Sequence, residues 1–453
     1  MSVTAATAGG VPSSLASLAT WPKDASDGNA LRPPAGPGGP AGRVRPSRRA
    51  VGRLATGLGG LVLAACAGPV GGRPPPQSKA PFTLEVIQSF SPETESWFED
   101  IFVPQYQGRV GTHVSVNHTW VPWGEMEEKF ITHKLAGTLA DVIRTGAGPW
   151  VWVYAEKQIG LPIDDRLKRS ARGLQDDYYP AAWATLVWEG KTYGLITHSG
   201  PRMYTYRQDI AESVGVRIAD TWTWEQYMDA AARMNLIEGG RLIRLGASPI
   251  TRNWQEFMLI FYAGGGQVTK NGQAAFNGPE GEWALELIVQ RKNRLQPPGT
   301  EGLPAVGEGT SQFAEGRIGI IYGNLSVARP VERFAPQHVE DIAVPQPPLK
   351  AKRVSMVNSD GLTINRDSTH PDEAWEFLTL SVEPGPLAAW CEARGATPPR
   401  KSVAASASFM KAPYMQKAAA NLGNFGVPVP VWPDYTNLFK NLEQELDAAM
   451  ASQ

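Results

Sequence analysis

The sequence is poor in the residues that build redox, metal and proton-relay sites. Its 453 residues hold two cysteines and six histidines. Cys66 and Cys391 lie in unlike contexts, so no disulfide is read from them. Cys391 sits in a helical Leu-Ala-Ala-Trp-Cys run and reads as a small buried apolar residue. The histidines are scattered, which argues against a metal centre. There is no Gly-x-Ser-x-Gly elbow, no Walker loop and no repeat of solenoid length. No cofactor is called for. No run after Cys66 approaches 18 uninterrupted apolar residues, so the body itself reads as soluble. An excess of positive charge on the body is also missing. Residues 1–65 carry seven basic side chains against Asp24 and Asp27, which leaves 36 basic against 42 acidic over the rest. A mildly acidic body argues against binding to a nucleic-acid backbone, which needs a basic face.

What is present begins with an address. Residues 1–42 are rich in Gly, Pro, Ala and Ser and have little to bury. The basic stretch Arg43–Arg49 precedes Leu54–Ala65, a short uncharged run, and Cys66 closes it. Basic region, apolar region and small-residue site make an export signal too short to span a bilayer. Ser47-Arg48-Arg49 fits twin-arginine export, and Sec export fits equally. Residues 66–80 are a Gly/Pro-rich tether.

From Pro81 the pattern alternates. Phe82–Gln88, Thr112–His118 and Leu139–Arg144 read as strands, and 92–106 and 124–135 as the helices between them. Strand–helix alternation predicts a parallel sheet covered by helices, with ligands held beyond the carboxyl ends of the strands. Those ends carry Ser91, Trp120, Trp123, Arg144 and Trp150. His198–Arg202 is polar and bend-permitting, and reads as an interdomain crossing. Thr223 and Gln226 have capping-box spacing. Trp254–Phe261 reads as a helix stopped by Gly264–Gly266. Glu280–Gln290 is a further helix and Ile318–Tyr322 a strand. Pro371 opens another helix.

Several of these stretches, in order, resemble the extracellular solute-binding proteins of ATP-binding-cassette importers, in the class that takes sugars and oligosaccharides. They are Gly190–Leu195, Tyr204–Arg207 with Asp209 and Gly215, Thr221–Trp224, Phe313–Ile320, Ser368–Phe377 and Gly395–Arg400. The chain departs from the family pattern at Arg207, where Asn is usual, and lacks the Pro before Thr221. Leu63-Ala-Ala-Cys66 resembles the bacterial lipobox, which implies cleavage before Cys66 and its lipidation.

The resemblance implies an α/β fold of two lobes joined by a hinge that the chain crosses more than once, with the ligand cleft between them. The expected boundaries are 81–198 plus about 326–358 for the first lobe and 199–325 plus about 359–453 for the second. It also implies a monomeric, lipid-anchored captor outside the cell, whose partners are a small solute and the importer's permease subunits.

A sugar site needs aromatic platforms and groups that both donate and accept hydrogen bonds. The candidates are Ser91, Trp120, Trp123, Arg144, Trp150 and His198; the resemblance further implies Trp254 as a ligand-facing aromatic, Tyr322 and Asn324 in a segment that presents an aromatic to the cleft, and Asp360 at a second return crossing, Ser359-Asp360-Gly361. Packing on their own lobes is the plainer reading of the tryptophans, a neighbouring carboxylate that of Arg144, and turn capping that of Asn324. Trp432 and Tyr435 are candidates for a late wall, with surface packing the simpler role. Non-sugar solutes remain open: a glycerol phosphate, a peptide or a polyamine. Arg144 suits an anion. A secreted carbohydrate-active enzyme would need two positioned carboxylates. Glu125, Glu127, Glu128, Asp164-Asp165 and Asp176-Asp177 offer charge runs of the kind that usually face solvent.

Overall fold

The computed structural model describes residues 80–89, 92–122, 125–146, 149–249, 254–270, 273–297, 309–431 and 435–451. Cys66, Ser91, Trp123 and Trp432 lie outside the described residues, as do the leader and all but the last residue of the tether.

The described residues build two sheets. In the first, Phe82–Ser89 pairs in parallel with Val114–Val121 and with Val142–Thr145. Helices cover both faces of this sheet, so its central strands carry buried apolar residues on both sides, Val86 beside Ile87 and Val142 beside Ile143. On one face Val86, Val142, Leu362 and Ile364 meet Phe98, Phe102, Tyr106 and Phe377 of the covering helices. On the other, Ile87 and Ile143 meet Met126, Phe130 and Tyr154. The helix expected over 92–106 forms in three pieces, Pro92–Trp97, Phe98–Phe102 and Val103–Val110, and the middle one is a π-turn.

The second sheet runs Ile342–Ala343, Met203–Arg207, Ile318–Gly323, Arg241–Ala247, Leu236–Glu238. Its core is Trp222, Trp224, Tyr227 and the helix Trp254–Ala263. Thr223 caps Trp224–Met234 with both bonds of the capping box. The C-terminal helix Tyr435–Ala451 packs on Trp254–Ala263 and Pro279–Leu295.

The expected boundary at 198/199 falls inside a strand of the first sheet. Leu195–Pro201 belongs to the first sheet and Met203–Arg207 to the second, so the chain changes lobe at Arg202. The second crossing differs from expectation. Residues 325–343 stay with the second sheet, since Ile342 and Ala343 pair with Arg207 and Tyr206. Ser355–Ile364 then forms one long strand of the first sheet, paired with Val142–Thr145 and with Leu195–Pro201. Ser359-Asp360-Gly361, which the family resemblance puts at a second return crossing, is therefore mid-strand. Gly361 is there for space: a Cβ would lie 2.2 Å from the Leu195 carbonyl oxygen. Helices Pro371–Ser381 and Pro384–Arg394 return to the first lobe, with Trp375 and Phe377 in its core. Among the described residues no helix is long and apolar enough to cross a membrane.

Candidate functional site

Strand register brings distant residues onto one rung. Trp120 pairs with Gln88 on the neighbouring strand. Gln88 lies two residues past the Val86–Val142 pair, level with Arg144. Arg144 pairs with Leu362, and Asp360, on the same face, pairs with His198. Polar side chains thus end a sheet face that is otherwise apolar, at the carboxyl ends of the parallel strands.

Three of the sequence candidates meet there. Arg144 Nη2 donates to Asp360 Oδ2 at 2.7 Å, and His198 Nε2 lies 2.8 Å from the same oxygen. Trp390 Nε1 donates to His198 Nδ1 at 3.3 Å, so the ring accepts at Nδ1 and donates from Nε2. That tautomer is neutral, and burial pulls the imidazole down to about 4. Burial opposes ionisation of Asp360, but the charge of Arg144 and the bond from His198 hold its carboxyl far below the usual range. Arg394, at the end of Pro384–Arg394, lies over the Trp390 ring at 5.3 Å. Burial, and then the like charge of Arg144, pull its guanidinium down to about 9. Sequence reasoning missed Trp390 and Arg394. Their only signal was a basic residue in the last helical turn before a glycine, which reads as an ordinary helix stop.

Across the lobe boundary, Arg329, Pro330, Glu332, Arg333 and Phe334 face Glu392, Ala393 and Arg394 around a groove of about 750 Å³. Its second-lobe wall follows directly from the carboxyl end of Ile318–Gly323, where Tyr322 and Asn324 stand. Asn324 is largely committed: its Oδ1 accepts from the Ser326 backbone at 3.0 Å and hydroxyl at 2.6 Å, capping the turn. The Tyr322 hydroxyl is buried with no hydrogen-bond partner among the described residues, and its ring lies 5.4 Å from Tyr204.

The tryptophans of the described residues pack first on their own lobes. Trp120 meets Phe98 edge-on at 6.1 Å and His118 at 3.9 Å. Trp150 meets Phe130 and Tyr154 edge-on. Trp254 stacks on Phe439 at 3.7 Å with planes 7° apart. Each still keeps part of its surface open. Tyr435 spans the lobes instead, its hydroxyl donating to Glu127 at 2.9 Å.

Asp209, His338 and Asp341 bring three metal-ligating atoms together. Arg207 already takes both Asp209 oxygens, at 2.9 and 2.7 Å, and His338 bonds Asp341 at 2.8 Å. The cluster serves as an ion-pair network. It uses Arg207, the residue where the family pattern has Asn.

The bacterial extracellular solute-binding protein family matches this chain over residues 103–417. The chain belongs to that family. A mannitol-binding protein of Pseudomonas aeruginosa is similar to it, 25% identical over 333 residues that cover 66% of this chain and 71% of the relative. The sugar-binding protein MalE of Xanthomonas citri shares the fold at TM-score 0.70 and 19% identity, over 82% of this chain and 93% of that one. An ABC-transporter solute-binding protein of Thermotoga lettingae bound to α-D-tagatose does so at TM-score 0.66 and 21% identity, over 81% and 93%. The fold is accordingly the bilobal α/β fold of solute-binding proteins. Arg394 joins the polar rung to the groove: it lines the groove and feels the charges of Arg144 and Asp360.

Proposed function

We propose that this chain is the extracellular captor of an ABC importer, binding a sugar or oligosaccharide between its lobes and delivering it intact to the permease. The observation that carries the reading is the groove between Arg329–Phe334 and Glu392–Arg394, backed by the Arg144–Asp360–His198 cluster, in a chain of this family. The named sugar ligands of the relatives support the class of solute. The mechanism is a population shift. Ligand that touches both lobes favours the closed state by its extra contacts there. Asp360 acts by fixing Arg144 and His198. Cys66 is the lipid anchor in this reading, the Gly/Pro-rich 66–80 the tether, and the working unit a monomer held at the outer face of the cell membrane. Trp150 and Trp254, each with part of its surface open, are proposed as further ligand contacts.

The test is a thermal-shift screen of the purified chain against mono- and oligosaccharides, peptides, polyamines and glycerol phosphates. A ligand at 100 times its Kd stabilises by about 2.7 kcal/mol, a shift of a few degrees. A shift confined to sugars that are recovered intact supports the proposal. A shift with non-sugars alone moves the ligand class, and a sugar returned cleaved overturns the binding role.

A further inference from the structure

The groove carries more positive charge than its own carboxylates absorb. Arg329, Arg333 and Arg394 line it, against Glu332 and Glu392. Glu332 is already engaged on both oxygens: Arg329 Nη1 donates to one at 2.8 Å and the Tyr414 hydroxyl to the other at 2.5 Å. Arg333 lies over the exposed Phe334 ring rather than on an acid. Behind the groove, Asp360 is taken by Arg144 and His198.

On the arginines that line the groove, two guanidinium nitrogens are left over among the described residues. Arg394 Nη1, from the first lobe, and Arg329 Nε, from the second, are both buried with no hydrogen-bond partner among the described residues. A buried donor without a partner costs about 1–3 kcal/mol, and more when charged, so such groups call for explanation. They also lie close to the same piece of backbone. Gly395 has φ of +61°, and a Cβ there would sit 2.6 Å from Arg329 Nε. A glycine directly after Arg394 therefore lets Arg329 reach across the lobe boundary to it. These two atoms are covered, but the Arg329 side chain is 40% exposed and both arginines line the groove, so an occupant there meets their guanidiniums. An oxyanion in the groove offers planar guanidiniums the lone pairs they lack.

We infer that Arg394 and Arg329 form a two-lobe anion clamp, and that the captured sugar bears an oxyanion, a carboxylate as in a uronic acid or a phosphate as in a sugar phosphate. This rests on the sugar-capture reading and narrows it. One arginine comes from each lobe, so the oxyanion is held fully only when the lobes are together, and the clamp favours closure as well as binding.

The test measures the affinity of the full chain for matched pairs: galactose against galacturonate, galactobiose against digalacturonate, glucose against glucose 6-phosphate. Titration calorimetry at 20 and 200 mM NaCl is repeated with Arg394→Gln, Arg394→Lys and Arg329→Gln, each checked for folding by circular dichroism. The expected result is an acidic member at least tenfold tighter than its neutral partner at low salt. That ratio shrinks at high salt and falls at least fivefold in Arg394→Gln and in Arg329→Gln. The pair that shows the preference tells carboxylate from phosphate. Neutral members that bind as tightly as acidic ones, or a preference untouched in both folded glutamine variants, overturn the clamp and leave sugar capture standing. Should the Arg394 variants fail to fold, the salt dependence and Arg329→Gln decide. Binding of neither member of any pair, with peptides or polyamines binding instead, removes the sugar reading and the clamp with it.

Discussion

Asp360→Asn removes one charge and almost no volume from the point where three strands of the first lobe meet. The aspartate accepts from Arg144 at 2.7 Å and contacts His198 at 2.8 Å, and all three side chains are largely buried. Two unit charges about 4 Å apart at an effective dielectric of 20 attract by about 4 kcal/mol. Removing one partner of a buried pair costs about 3–5 kcal/mol, because the other charge is left uncompensated. Here the penalty has two sources: Arg144 loses its acid, and Arg394 nearby loses a compensating field. The asparagine oxygen can still accept from both Arg144 and His198, which share one carboxylate oxygen, so the loss is chiefly one of charge. The expected loss is about 3–5 kcal/mol at pH 7, read as a lower urea midpoint at unchanged slope. The double variant Asp360→Leu/Arg144→Met should be more stable than Asp360→Asn, because an apolar replacement of the whole pair is often neutral. The carboxyl of Asp360 is depressed in the folded state, so the unfolded chain binds the extra proton as pH falls. Its stabilisation is complete above the ordinary aspartate range near 3.9 and fades below it, so the gap between wild type and Asp360→Asn narrows toward pH 3. A loss under about 1 kcal/mol at pH 7, well short of the buried-pair figure, means that the cluster is not the buried ion pair described.

Further outcomes follow from other parts of the molecule. His118 is buried between Phe98 and Trp120, and desolvation pulls it down to about 3. The unfolded chain therefore takes up its proton first as pH drops below about 6.5, and wild type should lose about 2 kcal/mol from this residue between pH 7 and pH 5. His118→Leu should flatten that part of the urea-denaturation pH profile; an unchanged profile contradicts the assignment. Glu256 is bonded twice by Arg291, at 2.6 and 2.9 Å, and once by Tyr204 at 2.8 Å, all buried. Glu256→Gln should cost about 3–5 kcal/mol in the same assay, and a loss below about 1 kcal/mol, the worth of an exposed pair, contradicts it. Phe439→Ala should cost about 3–5 kcal/mol and red-shift tryptophan emission by uncovering Trp254; an unshifted spectrum contradicts the stack.

Much of the fold was legible in the sequence because it is local. Alternation from Phe82 to Gln88 marks the first strand, Thr223 and Gln226 mark a helix start by spacing alone, and Cys391 is buried as its apolar run implies. The second crossing was not legible. Gly361 and Asp360 carry the composition of a bend, yet one is a glycine for close backbone approach and the other a buried ion-pair partner. Both roles depend on strands far away in sequence, Leu195–Pro201 and Val142–Thr145. The site divides in the same way. Arg144, His198 and Asp360 could be singled out from strand ends and the crossing, although nothing local joins residues 216 positions apart. Trp120, Trp150 and Trp254 lie near strand ends or a helix start, but periodicity says nothing of how a ring turns, and each leans on an aromatic neighbour. Arg329 and Arg394 carry no signal of their own until two lobes face each other.

Titration calorimetry of the purified chain against neutral and acidic mono- and oligosaccharides is the most direct measurement of solute capture. Saturable one-to-one binding of a sugar, recovered unchanged and accompanied by a smaller radius of gyration in X-ray scattering, is expected of a two-lobe captor. The opposite outcome is a folded chain that binds no sugar, or that binds one without any change in radius while returning it cleaved.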